Sequence, residues 1–178
     1  MAAEAFELVP FEASEETAKL SIKGKVSRKK GVLSIQYRLA GDLGLVAIPT
    51  LGEGGHRQDR LWEKTCFECF LSEGSAGYWE FNFSPSGDWN AFALTGYRQG
   101  LKEEAAISRL PVEAWQGFEG LQLQAKVPLV GLVDADRPLQ LGVSAVVVLK
   151  SGEETFWAIA HPRSEADFHH PDSFAIAL

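Results

Sequence analysis

The chain has little sulfur and no long apolar run: two cysteines, one methionine, and no segment near the roughly 20 apolar residues that span a bilayer. Basic residues are the minority, 17 against 24 acidic for a formal charge of -7, so the summed field repels phosphate backbones and anionic membrane surfaces. Neither nucleic acid nor a membrane is an expected partner. The opening MAAEAFELVPF has no basic n-region and no apolar stretch of signal-peptide length, which predicts a non-secreted, cytoplasmic protein. The motifs GxGxxG, GxxxxGK[ST], GxSxG, HExxH and the EF-hand loop are missing, and no cofactor is expected. Missing as well is a candidate helix long enough for a βαβ crossover, which argues against a parallel α/β fold.

The two cysteines stand together as 66-CFEC-69, a spacing that invites a metal or redox reading. Zinc needs a second pair of ligands, and a redox pair sits at a helix start, whereas 65-TCFECFL-71 reads as a strand. Positions 66 and 69 of a strand point to opposite faces, so the sulfurs diverge. Two reduced, buried cysteines are expected, and no metal.

What the chain does have is short alternating runs broken by Gly, Pro, Asn, Asp and Ser. Strands are predicted over 17–27, 32–40, 65–72, 78–84, 89–97, 121–129, 139–150 and 154–161, with weaker ones near 5–11 and 173–178. Segment 101–111 reads as a strand or short helix, and 112–120 as a loop or one helical turn. About ten strands with little helix predict an all-β, antiparallel, jelly-roll-like β-sandwich, and the length predicts one domain over residues 1–178. In 84-SPSG-87, Pro occupies the second and Gly the fourth position of a type I turn, and 72-SEGSAG-77 is a second hairpin loop. Strands 65–71, 78–84 and 89–97 therefore form a meander.

Alternation sorts the middle strand into a core face with Trp79, Phe81 and Phe83 and a polar face with Tyr78, Glu80, Asn82 and Ser84. Glu68 of the preceding strand, placed on that polar face, lies opposite Glu80 or Asn82. Like charges directly opposite are destabilising, so the Asn82 register is preferred unless a proton or cation is shared. The cluster reads either as a ligand-facing surface whose carboxylates and amide bind hydroxyl groups or as the solvated outside of a sandwich. Trp79 and Trp157 alternate with apolar residues and read as core. Trp62, within 60-RLWEK-64, and Trp89, within 87-GDWN-90, stand among charged and turn residues, where an exposed indole suits the apolar face of a sugar ring; Trp115 is a weaker case.

Three of the 4 histidines fall in 161-HPRSEADFHHPDSF-174. His169 and His170 are adjacent and diverge in extended chain, so the stretch is a poor metal site. It reads better as a clasp: Pro162 stops a strand, 167-DFHHP-171 brings the chain back, Phe168 and Phe174 pack inward, and the Asp and His side chains hydrogen-bond the turn backbone. The return brings His161 or His169 to the rim of the ligand face.

The motifs 61-LWEKTCFECF-70, 78-YWEFNFSPSGDWNAFALTGYR-98, 156-FWAIAHP-162 and 167-DFHHPDSF-174, with 8-LVPF-11, are together similar to those of DOMON-like, type 9 carbohydrate-binding-module-like domains, particularly small stand-alone bacterial proteins of cyanobacterial type. The resemblance implies an antiparallel β-sandwich that recognises a ligand without catalysis, a sugar held by aromatic stacking in some members and haem in others. Haem-binding members hold iron through a Met and a His, and the only methionine here is Met1. Type 9 sugar modules commonly carry an acidic residue three positions before the strand glutamate, where this chain has Thr65.

The leading expectation is a binding module in which Arg60, Trp62, Glu68, Glu80, Asn82 and Trp89, with His161 or His169 at the rim, hold a small polyhydroxylated ligand such as a saccharide. An enzyme is the alternative: two neighbouring strand glutamates on a jelly-roll face suit a retaining glycoside hydrolase, and an open, flat setting for them would exclude it. A third class is a sandwich that docks a partner chain or forms a homodimer through Trp62 or Trp115.

Overall fold

Alternating residues segregate into two faces along every long strand, and two such sheets bury their apolar faces against each other. The computed structural model describes residues 3–52, 54–134 and 136–178; Met1 lies outside them. Its strands are β1 (Glu4–Pro10), β2 (Leu20–Lys29), β3 (Val32–Gly41), β4 (Cys66–Ser72), β5 (Tyr78–Phe83), β6 (Trp89–Leu94), β7 (Lys102–Glu103), β8 (Val112–Gly117), β9 (Gly120–Pro128), β10 (Gln140–Val148), β11 (Glu154–Ala158) and β12 (Ile176–Ala177). The ladders between them are antiparallel, in the order β7-β6-β5-β4-β10-β11-β1-β2-β3-β9-β8, with β12 on β10. The fold is an all-β antiparallel sandwich. Helical residues are confined to single 3-10 turns among the described residues, and no helix there is long and apolar enough to cross a membrane.

Strand β1 joins the two layers. Glu4–Leu8 pair with β2 in the first sheet, while Val9 and Pro10 pair with β11 in the second. Between the layers lies a continuous core that includes Ile22, Ile35, Tyr37, Phe67, Phe81, Phe83, Leu123, Val143 and Trp157. Cys66 and Cys69 are both free and buried; Cys69 belongs to this core and Cys66 points away from it.

The meander forms as expected. The Gly87 N–H donates to the Ser84 carbonyl at 2.9 Å, closing the turn between β5 and β6, and Gly87 has φ +98°, a region that favours glycine. The structure corrects the reading of 112–120: Val112–Gly117 is β8, an edge strand paired along its length with β9 through a tight Gly117–Gly120 turn. Val112 and Ala114 pack on the core from one side, an alternation masked in sequence by Trp115 and Gln116.

Candidate functional site

The outer face of the second sheet carries the polar cluster. Because Phe67, Cys69 and Leu71 enter the core, Glu68 and Phe70 leave β4 on the opposite side; Tyr78, Glu80 and Asn82 leave β5, and Phe92 and Leu94 leave β6, on that same side. Glu68 pairs with Asn82 and Phe70 with Glu80, so the two glutamates are diagonal neighbours and never directly opposed. This is the register that charge repulsion favours. On β10 the neighbour of Glu68 is Ser144, and beyond β10 the face continues through Phe156 of β11.

This face is covered, and the cover leaves a cavity of about 600 Å³. Glu68, Glu80 and Val146 form its floor; Trp62 and Glu63 from the single turn Leu61–Glu63, Leu94, Arg98 and Leu101, Glu154 and Phe156, and Ala166, Phe168 and His169 from the tail surround it. Beside it a second, outer apolar cluster forms from Phe70, Tyr78, Phe92, Leu94 and Phe174, with Trp62 and Phe168 packed on it. Trp62 meets Phe92 edge to face at 5.9 Å.

Burial pushes the Glu68 carboxyl well above the usual carboxylate range and the Glu80 charge pushes it further, against a hydrogen bond donated by Ser144 at 3.3 Å. Glu80 is raised too, by burial first, against the Asn82 hydrogen bond and the field of Arg98. Asn82 is wholly buried; its Nδ2 donates to Glu80 Oε1 at 3.0 Å, and its Oδ1 has no partner. His169 is pushed down to about 4, by burial and then by Arg98, with Asp167 opposing. The Tyr78 hydroxyl accepts from the Arg98 N–H at 3.2 Å, which leaves its own proton for His169 Nδ1 at 2.8 Å. The neutral ring therefore carries its proton on Nε2, which faces Glu80 Oε2 at 3.9 Å, too far for a direct hydrogen bond.

The tail that supplies His169 is held by Asp167. Its buried carboxylate accepts from the Tyr97 hydroxyl, from Arg98 Nη2 at 2.9 Å and from the His169 N–H at 3.1 Å. His170 Nδ1 accepts from the Asp172 N–H at 3.2 Å. Phe174 stacks on Phe70 with centroids 5.9 Å apart, and Phe168 meets Phe156 at 6.1 Å. The stretch 161–174 is a clasp over the polar face. Among the described residues no three His, Cys, Asp or Glu side chains converge as metal ligands.

Of the residues singled out in the sequence, Trp62, Glu68, Glu80 and His169 meet in the cavity, with Asn82 buried beside the two carboxyls. Four others lie elsewhere. Trp89 is the first residue of β6, and alternation turns it into the core, 3% exposed, with the Arg57 guanidinium 4.5 Å from its ring centroid. Its place next to a hairpin tip made it look exposed. His161 binds the Val9 carbonyl at 2.9 Å and packs on Phe11 at 5.3 Å, because the chain end of β11 runs alongside β1. Arg60 points to a neighbouring depression and pairs with Glu63 at the cavity rim. Trp115 is 42% exposed on the β8 edge, apart from the cavity. Arg98, Glu154, Phe156 and Phe168 were not singled out as site residues. The alternation of Glu154 and Phe156 against Trp157 carries their signal, but only once β11 is known to lie in the same sheet as β4.

A β-sandwich with a ligand-sized, aromatic-walled cavity on one sheet's outer face is thus the class that fold and site define. No protein-family model and no curated protein matches the sequence. Solved structures do share the fold. A candidate carbohydrate-binding protein from Bacteroides uniformis is 14% identical with a TM-score of 0.66, over 94% of this chain and 83% of that one. A family 9 carbohydrate-binding module from Caldicellulosiruptor kristjanssonii, solved with cellotriose, is 12% identical with a TM-score of 0.55, over 91% and 75%. A family 9 module from the same organism with glucose gives 13% and 0.51, over 88% and 74%.

Proposed function

We propose that the protein is a non-catalytic binding module for a small saccharide or similar polyhydroxylated compound. One observation carries this reading: the Trp62 indole stands beside two buried carboxyls in a single cavity of about 600 Å³, within the usual size range of small-ligand sites. Aromatic faces of Trp62 and Phe168 suit the apolar face of a sugar ring, while Glu80 accepts from hydroxyls and His169 Nε2 donates to them. The cellotriose and glucose bound by the family 9 modules of the same fold support this assignment. The motifs shared with DOMON-like domains and the cytoplasmic setting belong to the same proposal.

Isothermal titration against a panel of mono- and disaccharides tests it. Trp62→Ala is expected to weaken binding at least about tenfold, since buried aromatic anchors dominate such sites. The same change also lowers stability by about 1–3 kcal/mol, because the partly buried indole loses apolar burial on the outer cluster as well as its contact with Phe92. Absence of binding across the panel, or a Trp62→Ala variant altered only in melting temperature, would remove the reading.

The enclosure of Glu68 and Glu80 in one cavity favours a second reading, a retaining glycoside hydrolase with one carboxyl as nucleophile and the other as general acid. Release of reducing ends from aryl-glycosides, abolished in Glu68→Gln, is its signature; ligand recovered intact after prolonged incubation excludes it.

A further inference from the structure

The charges around the cavity do not cancel. Glu63 at the rim is matched by Arg60, and Arg98 by Asp167. His169 is uncharged above about 4. Among the described residues, no Lys or Arg comes within ion-pair distance of Glu68, Glu80 or Glu154, and Arg98 acts on Glu80 only through its field. Beside the two carboxyls lies the wholly buried Asn82, its amide nitrogen committed to Glu80 and its Oδ1 without a partner. The cavity lining therefore sets Glu68, Glu80 and Glu154, none with a cationic ion-pair partner, against one guanidinium already paired with Asp167 and one neutral imidazole. Aromatic walls favour a cation as well, through the negative faces of their rings. Glu154, Phe156 and Ala166 also line a second, neighbouring depression of about 370 Å³ that carries Glu12, Glu153 and Glu165, the last of these paired with Arg163 at 3.9 Å.

We infer that the cavity selects a ligand bearing a protonated amine, an amino sugar over its neutral counterpart, with the ammonium seated at Glu68 and Glu80 and the ring on Trp62. The inference rests on the saccharide reading above. An ammonium there supplies N–H donors and the missing charge together, and charge-assisted hydrogen bonds in a water-poor site are the strong ones. A neutral hydroxyl supplies donors alone. Binding also displaces a proton, because burial favours the protonated form of the carboxyl pair and an incoming cation favours the ionised form. Other groups facing the pair leave this exchange to it: Arg98 stays charged, His169 stays neutral, and burial pushes both Tyr78 and Cys66 up, away from neutral pH.

The test is calorimetric titration of glucosamine, N-acetylglucosamine and glucose at pH 6.5, in phosphate and in a sulfonic-acid buffer of different ionisation enthalpy. Glucosamine is expected to bind about tenfold or more tightly than N-acetylglucosamine, with a heat that depends on the buffer. Glu80→Gln, verified by its melting temperature, brings that ratio to about one; Glu68→Gln serves if Glu80→Gln does not fold. Glucose or N-acetylglucosamine binding as tightly as glucosamine overturns the amine preference and leaves the saccharide reading standing. No binding by any of the three overturns the amine preference alone; the saccharide reading falls only if the wider panel of mono- and disaccharides fails as well.

Discussion

At the scale of single residues, Glu68 gives the site a cost that pH reveals. Its carboxyl titrates above the ordinary range in the fold and at its ordinary value in the unfolded chain, as does that of Glu80. The native state then binds more protons between those values, so the stability linked to the pair is full below the ordinary carboxylate range and is lost as pH rises through the raised values. His169 has the opposite sign, since its folded value of about 4 lies below the ordinary 6.5 and its neutral form costs stability as pH falls through that window. Glu68→Gln keeps the shape and removes the charge. Its melting temperature should exceed that of the wild type at pH 8, by about 2–4 °C for each 1 kcal/mol of relieved charge burial, and lose this advantage at pH 5. Scanning calorimetry across pH measures it, and a curve parallel to the wild type's would remove Glu68 as the cause.

At the scale of elements, the clasp depends on a glycine in β10. A Cβ on Gly142 would stand 2.7 Å from Phe174 Cδ1 and 3.4 Å from the Ser173 carbonyl oxygen, and the ring it meets is wedged between Phe70 and Tyr78. Gly142→Ala should therefore destabilise by about 1–3 kcal/mol, the usual cost of overpacking, and loosen the tail. Trypsin should then cut after the exposed Arg163 faster than in the wild type; an unchanged cleavage rate would show that the ring accommodates the methyl group. The clasp was legible beforehand from Pro162, the inward alternation of the phenylalanines and the Asp and His turn formers. Strand β8 was not, because half its side chains face solvent and its identity depends on β9 lying beside it.

At the scale of the whole molecule, the two sheets are tied to the site by one buried hydrogen bond. The Tyr37 hydroxyl of β3 crosses the core and donates to the Glu68 carbonyl at 2.8 Å, holding the middle of β4 from behind. Tyr37→Phe removes this cross-core hydrogen bond without leaving a cavity, while the Glu68 carbonyl keeps its place in the ladders of an interior strand; it should cost about 0.5–1.5 kcal/mol in denaturant unfolding while the cooperativity of the transition is kept. A loss below that range would mean that the bond across the core adds nothing net to stability.

Sequence alone determined the long strands other than β8, the hairpins of the meander, the register that sets Glu68 against Asn82, and the common face of Glu68 and Glu80. These follow from a period of two, from turn residues and from charge repulsion, all acting within one hairpin. Tertiary structure alone decided that this face lines a partly covered cavity, that Trp62 and His169 belong to it, and that Trp89 and His161 do not. Alternation states the side on which a side chain leaves its strand; which strands become neighbours and what covers their outer face is settled by pairings of β4 with β10 and of the tail with Phe70, distant in sequence and driven by burial over the whole sheet.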